Sequence, residues 1–210
     1  MLESFHSITL LAILNLGIAC YFWRNQFKYF FALAISFINV TSEVIAFIIV
    51  SNGDKSLLAT LYSWYYIFHF SLWIIIAFSF LKTQSKGVRM GVVFWLLSLL
   101  SLYLLGDLRT NSSVIIIGSL VYLLFFMKIV FGSLKKENIG FLTSNSFTLL
   151  CAPILFMIAS VFLYSFSGQV FRIRDYRFYG FDMYDWLMNI ANYTYYLLLA
   201  NFFISGRKKL

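Results

Sequence analysis

Seven apolar runs fill this chain, at residues 5–22, 29–50, 57–81, 90–106, 113–134, 146–166 and 184–205, with only short polar connections between most of them. A helix needs roughly 18–20 apolar residues to cross a ~30 Å hydrocarbon core. Each run approaches or exceeds that length, with the first and fourth the shortest. Strands cross a bilayer only as closed barrels, whose segments alternate apolar and polar residues. These runs are continuously apolar and therefore predict helices. The expected fold class is all-α: a polytopic membrane protein with seven transmembrane helices forming one domain over residues 1–210.

Composition excludes the alternatives. Of 210 residues, 61% are hydrophobic and 11% charged, against about 25% charged in soluble domains. A soluble fold would expose apolar patches far larger than monomers tolerate. The net charge of +8 does not point to nucleic acid, because the basic residues lie at the ends of apolar runs and form no aromatic-interleaved face.

That charge placement sets an orientation. The first, third and fifth connections and the tail carry Arg24, Lys28, Lys82, Lys86, Arg89, Lys135, Lys136, Arg207, Lys208 and Lys209, with Lys128 close enough to snorkel there. The other side carries Lys55, Arg109, Arg172, Arg174 and Arg177, together with six of the eight acids. The positive-inside rule places the N-terminus outside and the C-terminus in the cytoplasm. The N-terminal segment, with Glu3 and no basic start, reads as a retained helix and not a cleaved signal. The plasma (inner) membrane is the expected location. Cys20 and Cys151 form no CxxC motif and read as small buried hydrophobes. Pro153, the only proline, marks an expected kink.

Polar residues inside apolar runs are the candidate site. In SFINVTSEVIAF, Ser36, Asn39 and Glu43 share one face of the second helix. A carboxyl at that depth must be protonated, paired or facing water. In the third helix Tyr62, Tyr66, His69 and Trp73 form another face; in the seventh, Asp185, Asn189, Asn192 and Tyr196 form a third. With Asn15 of the first helix, these groups gather between the midplane and the outer leaflet. If helices one, two, three and seven adjoin, they line a cavity opening outward, with Glu43 paired to His69. The competing reading is interhelical hydrogen bonding that holds the bundle together.

No motif names a reaction. There is no HExxH, GxSxG, P-loop or dinucleotide turn, and no lysine for a retinal Schiff base in the seventh helix. No cofactor, metal or catalytic residue is expected. The reading is a sensor or receptor-like membrane protein that signals through a separate membrane or cytoplasmic protein, since no output domain is present. Its alternatives are a small proton-coupled transporter using Glu43 and His69, a lipid-acting enzyme, and a structural subunit of a membrane complex. The connection from Ser167 to Met183, mixing arginines, aspartates and aromatics, reads as a lid, an interfacial segment or a short hairpin, with an ordinary solvated connection as the competing reading.

Overall fold

The computed structural model describes residues 2–53, 57–81, 83–165, 177–178 and 181–206, without the side chains of 2–6, 107–111, 177–178 and 181. Its elements are α1 (Leu2–Tyr21), α2 (Phe27–Ser51), α3 (Leu57–Leu81), α4 (Gln84–Leu105), α5 (Asp107–Lys135), α6 (Ile139–Leu142), α7 (Asn145–Cys151), α8 (Ile154–Ser165), β1 (Arg177–Phe178), β2 (Phe181–Asp182) and α9 (Met183–Ser205). Every expected apolar run is helical over most of its length. Among the described residues, five helices are long and apolar enough to cross a membrane: α2, α3, α4, α5 and the α7–α8 stretch. The apolar part of α1 is shorter, and α9 is diluted by its asparagines, tyrosines and Asp185.

The outside of the bundle is apolar. Leu10, Leu14, Phe37, Ile48, Leu97, Leu104, Leu124, Phe131, Ile158 and Leu197 are all exposed. Such a girdle is untenable in water and fits a lipid bilayer.

The helices close into a ring in the order α1, α2, α3, α5, α8, α9 and back to α1. α4 lies outside the ring against α3 and α5. α3 is the central helix. From Phe70 to Ala77 only Leu72 escapes full burial, and a helix apolar around its whole circumference belongs inside a bundle. On α4 the buried residues are Gly87, Gly91 and Ser98, a strip of small residues that lets its backbone approach α3. A Cβ on Gly87 would stand 2.9 Å from the Ile75 carbonyl oxygen.

Four expectations change. The third connection, expected between residues 81 and 90, is mostly the first turns of α4, which begins at Gln84. The fourth connection, expected to run DLRTNSS from Asp107, is instead the start of α5. Gly106, at φ 74°, turns the chain in a single residue, a conformation glycine adopts without strain. The expected kink in the sixth helix is a break between α7 and α8. Proline has no N–H to continue the ladder, and Tyr122 of α5 donates to the Leu150 carbonyl beside the break at 2.8 Å. Cys20 is exposed on the apolar exterior and Cys151 half-buried, so neither is a fully buried hydrophobe. The short hairpin expected in the sixth connection is present as a two-residue antiparallel ladder, Arg177 opposite Asp182 and Phe178 opposite Phe181. The remainder of that connection and the basic tail lie outside the described residues.

Candidate functional site

Asn39 is the centre of the polar cluster. It is 1% exposed on the inner face of α2, and its side chain joins three helices. Its Nδ2 donates to the Tyr195 hydroxyl of α9 at 3.0 Å. Its Oδ1 accepts from the Tyr65 hydroxyl and from His69 Nδ1 of α3, each at 3.2 Å. An amide oxygen only accepts, so Nδ1 carries the proton and Nε2 presents a lone pair. His69 is buried, and Nε2 has no hydrogen-bond partner among the described residues. Around the imidazole stand Tyr65, Phe70, Phe156 and Tyr195, with ring centroids 5.0, 5.7, 5.8 and 5.9 Å away. The Trp73 indole lies beside the Tyr195 hydroxyl, outside hydrogen-bond geometry.

A second buried knot ties α1 to its neighbours. Asn15 donates from Nδ2 to the Tyr196 carbonyl at 2.9 Å and accepts from Ser36 Oγ at 3.0 Å. Both valences of this amide serve helix packing.

Glu43 lies one turn beyond Asn39, about 12 Å from the end of α2 at a rise of ~1.5 Å per residue. It is half-buried. Its carboxyl accepts a hydrogen bond from Thr9 of α1 and lies within electrostatic reach of Tyr62, Tyr65 and Tyr196. Glu43 and His69 therefore bond different partners, and Asn39 with Tyr65 stands between them. Tyr62 stacks on Tyr66, centroids 6.1 Å apart, and Tyr66 hydrogen-bonds Tyr164 of α8. Tyr196 is buried, whereas Asn189 and Asn192 are half-buried toward the start of α9. Asn192, one turn before Tyr195 and Tyr196, stands at the level of Glu43.

The structure thus brings Asn39, His69, Tyr65 and Tyr195 together, leaves Glu43, Tyr62 and Asn192 as a half-buried rim, and gives Asn15 to packing. Tyr65 and Tyr195 were not singled out by the sequence. Their signal was present: Tyr195 neighbours Tyr196, and Tyr65 lies four residues before His69 on the same face.

Apart from the Asn15–Ser36 knot and isolated serines such as Ser71, most of the bundle beneath the cluster is apolar. Phe70, Trp73, Ile76 and Ala77 of α3, with Ile35 of α2 and Leu199 of α9, are all fully buried. No cluster of His, Cys, Asp or Glu suited to a metal ion occurs among the described residues. Comparisons with family models, curated proteins and solved structures find no match.

Proposed function

We propose that this chain is a seven-span membrane sensor, N-terminus outside and C-terminus cytoplasmic, in the plasma (inner) membrane. It binds a small, largely apolar ligand from the outer side. One observation carries the reading: a half-buried polar rim lies over a largely buried polar floor, and mostly apolar packing closes the bundle below. A carrier needs polar groups continuing toward the other face. Here Trp73, Ile76, Ile35 and Leu199 stand in the way. The lone pair on His69 Nε2 is the hydrogen-bonding capacity the floor leaves open, so a ligand with one hydroxyl donor fits the chemistry. The response passes to a separate partner through the connections at the basic end.

The test is thermal unfolding of the protein in lipid nanodiscs with a panel of 1-alkanols, monoacylglycerols and sterols. A ligand at about 100 times its Kd contributes ~2.7 kcal/mol, which raises Tm by about 5–10 °C for a chain of this size. That rise is expected to disappear in Glu43→Gln and Asn192→Leu, whose Tm without ligand stays close to wild type. A panel with no stabilising member counts against the sensor.

One observation favours a second reading, proton-coupled transport. Glu43, Tyr65, Asn39 and His69 form a near-continuous series of exchangeable groups. In proteoliposomes with an imposed pH gradient, proton flux that Glu43→Gln abolishes would replace the sensor with the carrier.

A further inference from the structure

At the basic end of the bundle, a cavity of about 490 Å³ opens where α2, α4 and α7 begin and α9 ends. Its polar walls include Arg24 and Gln26 of the first connection, Lys28 of α2, Gln84 of α4, and Ser144 and Ser146 at the start of α7, with Tyr29, Asn145 and Ser205 beside them; the Asn145 amide is turned to donate to the Phe202 carbonyl. No acidic residue is among its walls within the described residues. Lys28 is half-buried and held in place: Nζ donates to Ser146 Oγ at 3.0 Å and sits 3.8 Å from the centre of the Phe80 ring. An ammonium has three donors, and this one spends a single donor on a neutral hydroxyl. Arg24 lies against the Tyr29 ring, 5.8 Å from its centre. Neither cation has an acidic ion-pair partner among the described residues. A partly desolvated cation without a counter-charge is unfavourable. Two of them on one cavity, with hydroxyl and amide donors beside them, make an anion site.

We propose that this cavity holds a phosphate group. Lys28 and Arg24 supply the charge, Ser144 and Ser146 the neutral donors. The walls are the first and last residues of the helices, so the site lies at headgroup depth, where basic pockets between helices bind anionic lipids. A second cavity of about 240 Å³, sharing Arg24 and walled by Tyr21, Phe22, Trp23 and Phe203, adjoins it in sequence and offers an aromatic surface for an attached chain. A phospholipid headgroup and free phosphate present the same oxygens, and the two sources are separable.

Full-length protein is reconstituted in nanodiscs of phosphatidylcholine alone or of an equimolar mixture with phosphatidylglycerol, and retained lipid is counted by native mass spectrometry. The variants are Arg24→Gln with Lys28→Gln, and Lys135→Gln with Lys136→Gln. The second pair changes the net charge equally but lies outside the cavity, on exposed positions at the same end. The expected result is preferential phosphatidylglycerol retention by wild type and the Lys135/Lys136 variant, reduced about ten- to thirtyfold in the Arg24/Lys28 variant. Saturable stabilisation by inorganic phosphate in phosphatidylcholine nanodiscs, lost in the same variant, supports the site with free phosphate as ligand. Equal losses in both variants, or none in either with no phosphate effect, overturn it. Should the Arg24/Lys28 variant misfold, Lys28→Arg takes its place. It keeps the charge and is expected to retain the lipid, and loss of retention in a folded Lys28→Arg variant counts against the proposal.

Discussion

Asn39→Leu is expected to lower stability by about 2–4 kcal/mol. Three buried groups lose their partner together: the Tyr65 hydroxyl, His69 Nδ1 and the Tyr195 hydroxyl. An unsatisfied buried polar group costs about 1–3 kcal/mol in soluble proteins. Between membrane helices single hydrogen bonds average nearer ~0.6 kcal/mol, because the unfolded helices also find partners in the membrane. The sum over three groups lies between these limits. Leucine keeps the volume, so the loss reports hydrogen bonding more than a cavity. Tyr195→Phe removes one bond of the set and is expected to cost about 1 kcal/mol. In a double-mutant cycle, Asn39→Leu and His69→Phe are expected to couple by about 1 kcal/mol, as residues sharing a bond do. Reversible unfolding in mixed micelles measures all of these. A free energy for Asn39→Leu no larger than that of Tyr195→Phe would show that Asn39 does not hold the three helices together.

The same residue shows what a sequence can and cannot disclose here. The helices were legible because continuous apolar length is a one-dimensional property, and lipid enforces it. α2, α3 and the start of α9 fall within a few residues of their expected bounds. The polar faces were legible too, since 3.6-residue periodicity puts Asn39 and Glu43 together. What periodicity does not carry is the rotation of each helix about its axis and which helices are neighbours. Glu43 draws attention because a carboxyl in lipid is costly, but its partner is Thr9 of α1. The less conspicuous Asn39, one turn deeper, points at α3 and α9. α4 makes the same point from the other direction: nothing about its apolarity reveals that it stands outside the ring. The spacing of Gly87 and Gly91, four residues apart, was the available signal, for small residues at that interval allow close helix contact.

Gly87 is consequently the position where adding the least should disturb the most. Gly87→Val is expected to destabilise the protein by about 2–3 kcal/mol, and Gly87→Ala by about 1–2 kcal/mol, as overpacked sites do. A Cβ there meets only backbone: the Ile75 carbonyl oxygen at 2.9 Å, the Ser79 nitrogen at 3.2 Å and the Ser79 Cα at 3.4 Å. No side-chain rotation relieves that overlap, so α4 has to move away from α3. Gly91 presents a different obstacle. Its nearest neighbours are the side-chain carbons of Ile75, with the Ser71 carbonyl oxygen at 3.0 Å, and isoleucine can change rotamer. Alanine also gains about 1 kcal/mol of helix propensity over glycine, which offsets much of the strain in Gly91→Ala and leaves it near neutral. Gly132 on α5 has open space around it, so Gly132→Ala should be neutral or slightly stabilising. The expected order of cost is therefore Gly87→Val, Gly87→Ala, Gly91→Ala, Gly132→Ala, read from the same micellar unfolding. A cysteine pair across the α3–α4 contact, tested for disulfide formation in the Gly87→Val background, separates displacement of α4 from general loss of folding. Unchanged crosslinking together with unchanged stability would mean that α4 does not pack on α3 through this glycine.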